Sequence, residues 1–283
     1  MEIGVVYSFV GFEKKEIFHS AQKSGVMLRR IKDEEAVLDI QKNGDAFPDL
    51  SFMRSVSTSR SIYISKYLEC SGKRSINKSN TFEVCGDKAL TSMMLAKEGI
   101  ETPKTVICFS PEVAKKSADI ISYPYVVKPV VGSWGRLVHK VNDPEAATAI
   151  FEYKELMQNP MHRIYYMQEY IEKEGKDIRV IVCGTEVIGA ISRISNNGDF
   201  RTNHHLGGMV EEYRIEGEIE EVCAKIGEVF GGEEILGIDL AKSTDGLKVL
   251  EVNHTPEFTG FCKATGTNVA DKMIEHIKRI IKS

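Results

Sequence analysis

Two alternating apolar runs near the C-terminal end of the chain constrain its fold most strongly. They flank Thr244-Asp245-Gly246, a segment with the composition of a three-residue hairpin loop whose glycine supplies a positive φ. Pairing of Ser243 with Leu247 then places Leu240 opposite Leu250 on the core side, because side chains alternate along a strand. The sequence therefore predicts an antiparallel β-hairpin that is buried on one face.

The other face of this predicted hairpin carries acidic side chains. In the same register Asp239 lies opposite Glu251, and Gly237 lies opposite Asn253. Two carboxylates about 5 Å apart repel each other unless a proton or a cation lies between them. Three hard oxygen ligands suit Mg²⁺ or Mn²⁺, and Mg²⁺ held by carboxylates usually shares its ligands with nucleotide phosphates. The alternative is a solvated face whose two acids have no function, since acids are common on exposed hairpins.

The composition is that of a soluble globular protein with two or three compact units. The chain has 283 residues, of which 42% are hydrophobic and 28% charged, and its net charge is −4. That charge argues against a general nucleic-acid binder, which needs a basic excess to bind phosphates. No apolar run approaches the length of a membrane span, and the six cysteines form no Cys-x-x-Cys pair. Because the N-terminus also lacks a signal-peptide pattern, we expect a cytoplasmic protein with reduced thiols.

The first 85 residues alternate between predicted strands and helices, which implies a parallel sheet. A hydroxyl-rich segment between Arg54 and Arg60 follows the third strand, and Ser59 or Ser61 is the predicted cap of the next helix. The two arginines, at a strand end and a helix start, form a candidate anion site. Two exposed arginines beside a helix cap are an equally good explanation.

The middle of the chain combines isolated cations with glycines. Lys88 lies in a predicted helix that ends before Gly99, and Lys128 ends the apolar strand 123–128. A lysine in that position either reaches water or meets a buried anion. The glycine-rich segment 132–136 follows directly, and its backbone N–H groups can surround a phosphate. Glycine-rich turns are more often simple turns, but the neighbouring Lys128 favours phosphate binding.

The C-terminal part adds a second predicted hairpin over residues 178–193, around a tight Gly184-Thr185 turn. The polar segment 199–208 ends in glycines and predicts a loop. Three charged residues lie on or beside the hairpin: Asp177, Arg179 and Arg193.

The order of these motifs closely resembles the ATP-grasp carboxylate–amine ligases, over nearly the whole chain. The resemblance is strongest in Lys128-Pro129 with the 132–136 segment, in Phe200–Gly208, and in Glu251-Val252-Asn253. Within that superfamily the chain resembles the RimK-like branch. More narrowly, it resembles the LysX/ArgX ligases in the 132–136 segment, in Arg54-Ser55-Val56-Ser57, and in the Asn-His-Thr-Pro-Glu-Phe run that begins at Asn253.

This resemblance implies an α/β and α+β architecture, the ATP-grasp fold with an N-terminal α/β pre-ATP-grasp domain. The expected divisions are residues 1–85 for that domain, 86–170 for an ATP-grasp N-lobe, and 171–283 for a C-lobe. The family also implies a homo-oligomer, a dimer or a tetramer.

The chemistry of the resembling family joins the C-terminal glutamate carboxylate of an acidic carrier protein, LysW, to the α-amino group of an amino acid. ATP first converts the carboxylate to an acylphosphate, because a free carboxylate has no leaving group. The implied cofactors are ATP and two Mg²⁺ ions, with Asp239, Glu251 and Asn253 as metal ligands. The implied catalytic residues are Lys128 and Arg201, and Arg201 would stabilise the acylphosphate or the tetrahedral oxyanion. The implied ATP-binding residues are Lys88, Lys128, Gly132, Ser133, Trp134, Gly135, Arg136, Glu169, Ile171 and Asp177.

The amino-acid site follows from the same resemblance, and its expected residues are Arg179, Arg193, Asn203, Thr255, Gly260 and Phe261. Arginine binds carboxylates with two parallel hydrogen bonds, although one of the two arginines could instead form a structural salt bridge. The pair Gly260-Phe261 resembles ArgX-type proteins, which use glutamate. A bulky Phe261 would shorten the pocket by about one methylene, worth ~1–3 kcal/mol of discrimination. Glutamate is therefore expected, and 2-aminoadipate, or both, stays open.

An acidic carrier calls for a basic docking surface despite the negative net charge. The candidates are Arg54, Arg60, Arg74 and Lys78. Three other functions stay open: RimK-like glutamylation of another protein, an ATP-grasp kinase that stops at phosphoryl transfer, and a silent nucleotide-binding module. The paired carboxylates argue against the silent module, which has no use for them.

Overall fold

The N-terminal domain is a parallel sheet flanked by helices. The computed structural model describes residues 2–42, 44, 46–173, 175–195 and 209–282. The elements of this domain are β1 (Glu2–Tyr7), α1 (Phe12–Lys23), β2 (Met27–Lys32), β3 (Leu50–Arg54), α2 (Thr58–Cys70), β4 (Arg74–Ile76) and α3 (Ser79–Gly86). The strand order is β2-β1-β3-β4 and each pair is parallel, so the predicted parallel sheet is confirmed.

The middle lobe is an antiparallel sheet covered by helices. Its elements are α4 (Lys88–Lys97), β5 (Thr105–Cys108), α5 (Pro111–Lys116), α6 (Ala118–Ile121), β6 (Tyr125–Lys128), β7 (His139–Val141), α7 (Pro144–Glu155) and β8 (Tyr165–Glu169). The strand order is β5-β8-β6-β7. Alternation along β6 buries Tyr125 and Val127 against α5 and α7, which leaves Lys128 on the opposite face.

The C-terminal lobe contains the two predicted hairpins in one sheet. Its elements are β9 (Lys176–Cys183), β10 (Glu186–Ile194), β11 (Met209–Glu212), α8 (Gly217–Val229), β12 (Ile235–Ser243), β13 (Gly246–Asn253), α9 (Thr259–Thr265) and α10 (Val269–Lys282). The strand order is β11-β10-β9-β12-β13. Helix α8 covers one face of this sheet, where its buried Ile219 and Ile226 join the apolar cluster formed by β9, β12 and β13.

The N-terminal domain and the C-terminal lobe share one apolar core. Ile17 and Ala21 of α1 belong to the same buried cluster as Met273, Ile274 and Ile277 of α10. The spacing of these α10 residues puts them on one helical face. Burial of this shared face ties the N-terminal domain to the lobe that carries the predicted metal site.

The predicted register of the β12–β13 hairpin is confirmed at the residues of the predicted metal site. Asp239 pairs with Glu251, and Gly237 pairs with Asn253. The two carboxylates therefore lie on one face of the sheet, as the alternation predicts.

The turn end of the same hairpin differs from the prediction. The loop has two residues, Thr244 and Asp245, instead of three, and Leu240 pairs with Val249 instead of Leu250. Leu250 is the extra residue of a β-bulge, which bends the strand and shifts the pairing by one. The shorter loop and the bulge compensate each other, so the register beyond the bulge is the predicted one.

The cap of α2 also differs from the prediction. Ser57, rather than Ser59 or Ser61, is the N-cap, and its side chain accepts a hydrogen bond from Arg60 N (3.3 Å). The hydroxyl-rich segment offered several possible caps, and the one that meets the free N–H three residues later is used.

All six cysteines are free, in agreement with the expected reduced thiols. Of the helices that the structure describes, none combines the length and the apolar character that crossing a membrane requires.

Asn77 and Lys78 join the N-terminal domain to the C-terminal lobe. Asn77 exchanges two hydrogen bonds with the backbone of Ile235 (2.8 and 2.7 Å), and Lys78 N donates to Glu234 Oε2 (2.9 Å). Glu234 is fully buried. This burial raises the pKa of Glu234 to about 7, and the bond from Lys78 N opposes the rise only in part.

Replacement of Glu234 by glutamine should remove a pH-dependent loss of stability. As the pH rises, the unfolded chain loses the Glu234 proton near 4.5, whereas the folded protein keeps it until about 7. Between these values the free energy of unfolding falls, by at most about 3 kcal/mol. Denaturant titrations at about pH 5 and about pH 8 should therefore show Glu234→Gln gaining on the unchanged protein as the pH rises.

The neighbouring Glu233 provides the control for this prediction. Burial would raise the pKa of Glu233, but its bonds to Lys78 and Arg74 outweigh that effect and lower it. Glu233→Gln should thus show no gain at high pH. Parallel pH profiles of the unchanged protein and Glu234→Gln would contradict the raised pKa.

Candidate active site

A row of charged side chains crosses one face of the C-terminal sheet. Arg179 on β9 pairs across the strands with Asp239 on β12, and Asp239 pairs in turn with Glu251 on β13. On the other side of β9, Asp177 pairs with Arg193 on β10. Facing residues of neighbouring strands project from the same face. The register alone therefore assembles these five residues, which we call the charged row.

Asp239 lies at the centre of the charged row and is buried. Arg179 donates to both of its carboxylate oxygens through Nε and Nη2, and Arg193 Nη2 lies 2.9 Å from Oδ2. Burial would raise the pKa of Asp239, but the two guanidinium groups outweigh burial and lower the pKa well below its usual range. Asp239 is therefore a permanent anion at neutral pH, as a metal ligand must be.

Asp177 and Arg193 form a buried ion pair next to Asp239. Arg193 donates to both oxygens of Asp177 (2.6 and 2.9 Å), and Lys173 Nζ lies 3.4 Å from Oδ2 of the same carboxylate. The assignment of Asp177 to the nucleotide stays a prediction. Arg193 forms the kind of structural salt bridge considered above as the alternative to a receptor for the amino-acid substrate.

Lys88 connects the middle lobe to the predicted metal site. Its Nζ lies 3.0 Å from Glu251 Oε1 and donates to Gly132 O at 2.8 Å. Asp87 caps α4 by accepting from Ala89 N and Leu90 N, which fixes Lys88 at the first turn of that helix. A phosphate placed here would contact the Lys88 ammonium, a metal ion held by Glu251 and the glycine-rich segment.

Lys128 projects from β6 beside Lys88 and Glu251. Its Nζ donates to Gln168 Oε1 at 2.5 Å. Desolvation, together with the nearby Lys88, lowers the pKa of Lys128 to about 8, although Glu251 opposes the change. An anionic phosphate in contact with this ammonium would restore its full charge.

The glycine-rich segment adopts an irregular turn between β6 and β7. Trp134, Gly135 and Leu137 have positive φ angles of 60°, 68° and 58°, and only one of them is a glycine. Trp134 is 45% exposed, and the Arg136 guanidinium lies 5.0 Å from the centre of its ring. An exposed aromatic residue and a cation in a strained turn are typical of a segment that rearranges around a ligand.

Two of the predicted ATP-binding residues, Glu169 and Ile171, lie at the end of β8 and just after it. Glu169 Oε1 accepts from Lys104 N and Glu169 N donates to Lys104 O, both at 2.8 Å. The Glu169 side chain therefore fastens β8 to the segment before β5. The roles of Glu169 and Ile171 in nucleotide binding stay predictions.

The segment after β13 crosses to the N-terminal domain and is fastened there by a buried network. Arg54 Nη2 donates to Pro256 O (2.9 Å) and lies 3.1 Å from Glu13 Oε2. Glu13 Oε1 accepts from Phe258 N (2.6 Å) and Thr259 N (3.2 Å) at the start of α9. Sequence reasoning missed Glu13, because an acidic residue in the first turn of a helix is ordinarily exposed to solvent and stabilises the helix dipole.

Of the three substrate residues predicted in this segment, Thr255 and Gly260 are partly exposed, whereas Phe261 is 1% exposed. A Cβ at Gly189 would lie only 2.8 Å from Phe261 Cζ, so the ring packs against the backbone of β10. The prediction that Phe261 shortens a substrate pocket is therefore wrong, because its ring faces the core.

The four predicted docking cations do not share a surface. Arg54 is fully buried in the network described above. Arg60 pairs with Asp33 (2.9 Å) near the carboxyl ends of the parallel strands, whereas Arg74 begins β4 at the opposite end and pairs with Glu233 (2.7 Å). Lys78 also pairs with Glu233 (2.9 Å). The prediction of one docking surface is therefore wrong: Arg54 is buried, Arg74 and Lys78 bind the same Glu233 carboxylate, and Arg60 binds Asp33 instead.

Asp239, Glu251 and Asn253 fit a magnesium site in chemistry and position. Two are carboxylates in facing positions, and Asn253 Nδ2 donates to Gly237 O (3.3 Å), which directs the amide oxygen away from the strand. Across the described ranges, no set of three His, Cys, Asp or Glu side chains has a metal-binding arrangement, and the Asn253 amide would add an oxygen to the two carboxylates. The cations of Arg179 and Lys88 balance the carboxylates in this structure.

Arg201 and Asn203, predicted as a catalytic and a substrate residue, lie outside the described residues.

The arrangement of lysines, a glycine-rich turn and paired carboxylates between two lobes is that of an enzyme that binds a magnesium nucleotide. Comparison with known families agrees. The model of the RimK-like ATP-grasp domain matches residues 85–277, and that of the LysX pre-ATP-grasp domain matches residues 3–84. The chain belongs to the RimK-like ATP-grasp family, and it is a ligase. The family uses ATP, typically with Mg²⁺.

Two curated relatives extend over the whole chain. "Glutamate--LysW ligase ArgX" from Sulfurisphaera tokodaii is 35% identical over 279 residues, which are 98% of each chain. "Alpha-aminoadipate--LysW ligase LysX" from the same organism is 33% identical over an alignment of 288 positions that covers 100% of each chain. The two identities are too close to separate the glutamate and aminoadipate types.

Solved structures show the same fold. A RimK-domain ATP-grasp protein from Sphaerobacter thermophilus has a TM-score of 0.77 at 20% identity, over 98% of this chain and 99% of that one. D-alanine–D-alanine ligase from Bacillus anthracis, complexed with ATP, has a TM-score of 0.73 at 18% identity, over 99% of this chain and 96% of that one. The expected ATP-grasp fold with a pre-ATP-grasp domain is confirmed.

Proposed function

We propose that the chain joins the C-terminal glutamate carboxylate of an acidic LysW-type carrier protein to the α-amino group of glutamate, by way of an acylphosphate. The observation that carries the proposal is the charged row, which meets Lys88 and Lys128 beside the glycine-rich segment. The relatives named above as LysW ligases support the carrier as the acceptor.

The chain's own residues have distinct tasks in this reaction. Lys88 exchanges its contact with Glu251 for an ATP phosphate, and Lys128 holds the transferred phosphoryl group. The 132–136 segment covers the phosphates and excludes water, which would otherwise hydrolyse the acylphosphate. Asp239, Glu251 and Asn253 would hold two Mg²⁺ ions, which supply charge neutralisation during phosphoryl transfer. Arg201 is proposed for the oxyanion of the tetrahedral intermediate.

The amino-acid substrate is assigned to the neighbourhood of Arg179, Thr255 and Gly260. Arg179 uses Nε and Nη2 on Asp239, so its Nη1 can donate to a substrate carboxylate. Without Phe261 as a pocket wall, the choice of glutamate rests on the Gly260-Phe261 pattern and the ArgX-type relatives. 2-Aminoadipate is the alternative substrate, favoured by the equally extended LysX-type relatives.

Trapping of the acylphosphate separates carboxylate activation from a silent module, and amide formation once the amino acid is added separates the ligase from a kinase that stops at phosphoryl transfer. In the presence of Mg-ATP and carrier but no amino acid, hydroxylamine should convert the activated carboxylate into a hydroxamate and release phosphate. Mass spectrometry of the carrier's C-terminal peptide should then show one hydroxamate per carrier. ADP formation without any hydroxamate would contradict an acylphosphate on the carrier, and absence of both would contradict ATP-dependent activation.

A further inference from the structure

Four exposed apolar side chains gather at the carboxyl ends of β1 and β3. Phe9, Val10 and Phe12 follow β1 and are 57%, 48% and 47% exposed, and Val56 follows β3 and is 53% exposed. We call these four residues the strand-end patch. Val56 N donates to Ser8 Oγ at 3.0 Å, which holds the two loops side by side. Scattered exposed apolar residues are ordinary, but a contiguous group of this kind marks an interaction surface.

The strand-end patch lies close to the candidate active site. Phe12 precedes Glu13, which binds Phe258 N and Thr259 N. Phe258 is five residues from Asn253, so the two are separated by at most about 18 Å, a span that about six extended residues cover. A peptide resting on the patch can therefore deliver its C-terminal carboxylate to the charged row.

The border of the strand-end patch is suited to an acidic peptide. The Arg60 side chain is 48% exposed, and its Nη1 binds the fully buried Asp33 carboxylate at 2.9 Å. This bond holds the guanidinium in place and leaves its other N–H groups for a partner. Lys14 Nζ lies 5.2 Å from the centre of the Phe9 ring, so positive charge also lies beneath the apolar surface.

We propose that the strand-end patch is the docking surface for the C-terminal segment of the acidic carrier. An apolar side chain of that segment packs on Phe9 and Val56, an acidic side chain meets Arg60, and the terminal carboxylate extends past Pro256 towards Glu251. This assignment rests on the proposed function, since it presupposes a macromolecular acceptor with a reactive C-terminal carboxylate. The alternative occupant is a second copy of this chain.

Charge substitution at Phe9 tests the docking surface. Phe9→Glu should raise the KM for the carrier about tenfold or more, because it places a like charge opposite the acidic partner. Phe9→Lys removes the same ring but adds an attractive charge, so it should raise that KM much less. The KM values for ATP and for the amino acid should stay within about twofold in both variants. Thermal melting of each variant establishes that it is folded.

Met27→Glu is the matched control. Met27 is 63% exposed and begins β2 at the opposite end of the same sheet, so the carrier KM should not change. Equal effects of Phe9→Glu and Phe9→Lys, or none, would overturn the docking assignment. A changed sedimentation coefficient with an unchanged carrier KM would assign the patch to self-association and also overturn it. Failure of the unchanged protein to modify the carrier would instead overturn the proposed function, so the two failures are distinguishable.

Discussion

Glu251→Gln should lower turnover by at least about 10²-fold while leaving the fold intact. Glu251 faces Asp239 across the hairpin and binds Lys88 at 3.0 Å, so its charge contributes to both the metal site and the position of the phosphate-binding lysine. Glutamine keeps the shape but loses the charge, and it binds a hard cation weakly. Steady-state kinetics with ATP and carrier should show a lower kcat, and calorimetry should show weaker Mg²⁺-dependent binding of ADP.

Glu220→Gln is the control for this substitution. Glu220 is an exposed carboxylate on α8, which covers the opposite face of the sheet, so its neutralisation should leave turnover within about twofold. Unchanged turnover of Glu251→Gln would contradict the assignment of the paired carboxylates to the metal. An equal loss in the two variants would indicate a general effect of charge instead of a specific one.

Glu13→Leu should destabilise the protein by about 3–5 kcal/mol, the largest effect on stability that we expect from one substitution. It leaves the guanidinium of Arg54, 1% exposed, without its carboxylate, and it removes the acceptor for Phe258 N and Thr259 N. Both losses leave buried polar groups unsatisfied. The midpoint of denaturant unfolding should fall accordingly.

A double substitution separates the charge from the packing. Glu13→Leu/Arg54→Met removes both members of the buried pair, so part of the lost stability should return. Glu16→Leu, at a half-buried position in the same helix, should change the free energy of unfolding by no more than about 0.5 kcal/mol. A double variant less stable than Glu13→Leu would show that Arg54 is satisfied without Glu13, contrary to the network described here.

The sequence was most informative where local alternation decides the structure. The facing positions of Asp239 and Glu251 follow from the period of two along a strand. The predicted turn was one residue too long, but the bulge at Leu250 offset that error, so the two residues still face each other. The position of Lys128 on the face of its strand opposite α5 and α7 follows from the same period. The ATP-grasp fold itself was recognised through motif order, which matched families confirm.

Contacts between distant parts of the chain were beyond such reasoning. Nothing local distinguishes Arg54, which is buried, from Arg60, which is half-exposed, because burial of Arg54 depends on Glu13 and on the Pro256 carbonyl. Phe261 was predicted to line a pocket because it follows Gly260. The sequence did not show which face of α9 packs against the core, and Phe261 lies on that face. The pairing of Arg193 with Asp177 likewise depends on the register between β9 and β10. The sequence indicated that register only through the position of the turn.

The intact mass of a LysW-type carrier, after incubation with this protein, Mg-ATP and either glutamate or 2-aminoadipate, tests the central claim most directly. We predict a gain of one glutamyl unit, dependent on ATP and lost in Glu251→Gln. A gain of one aminoadipyl unit instead would retain the ligase and correct its substrate. No gain with either amino acid, while ADP forms with another acceptor, would contradict the carrier as the partner of this enzyme.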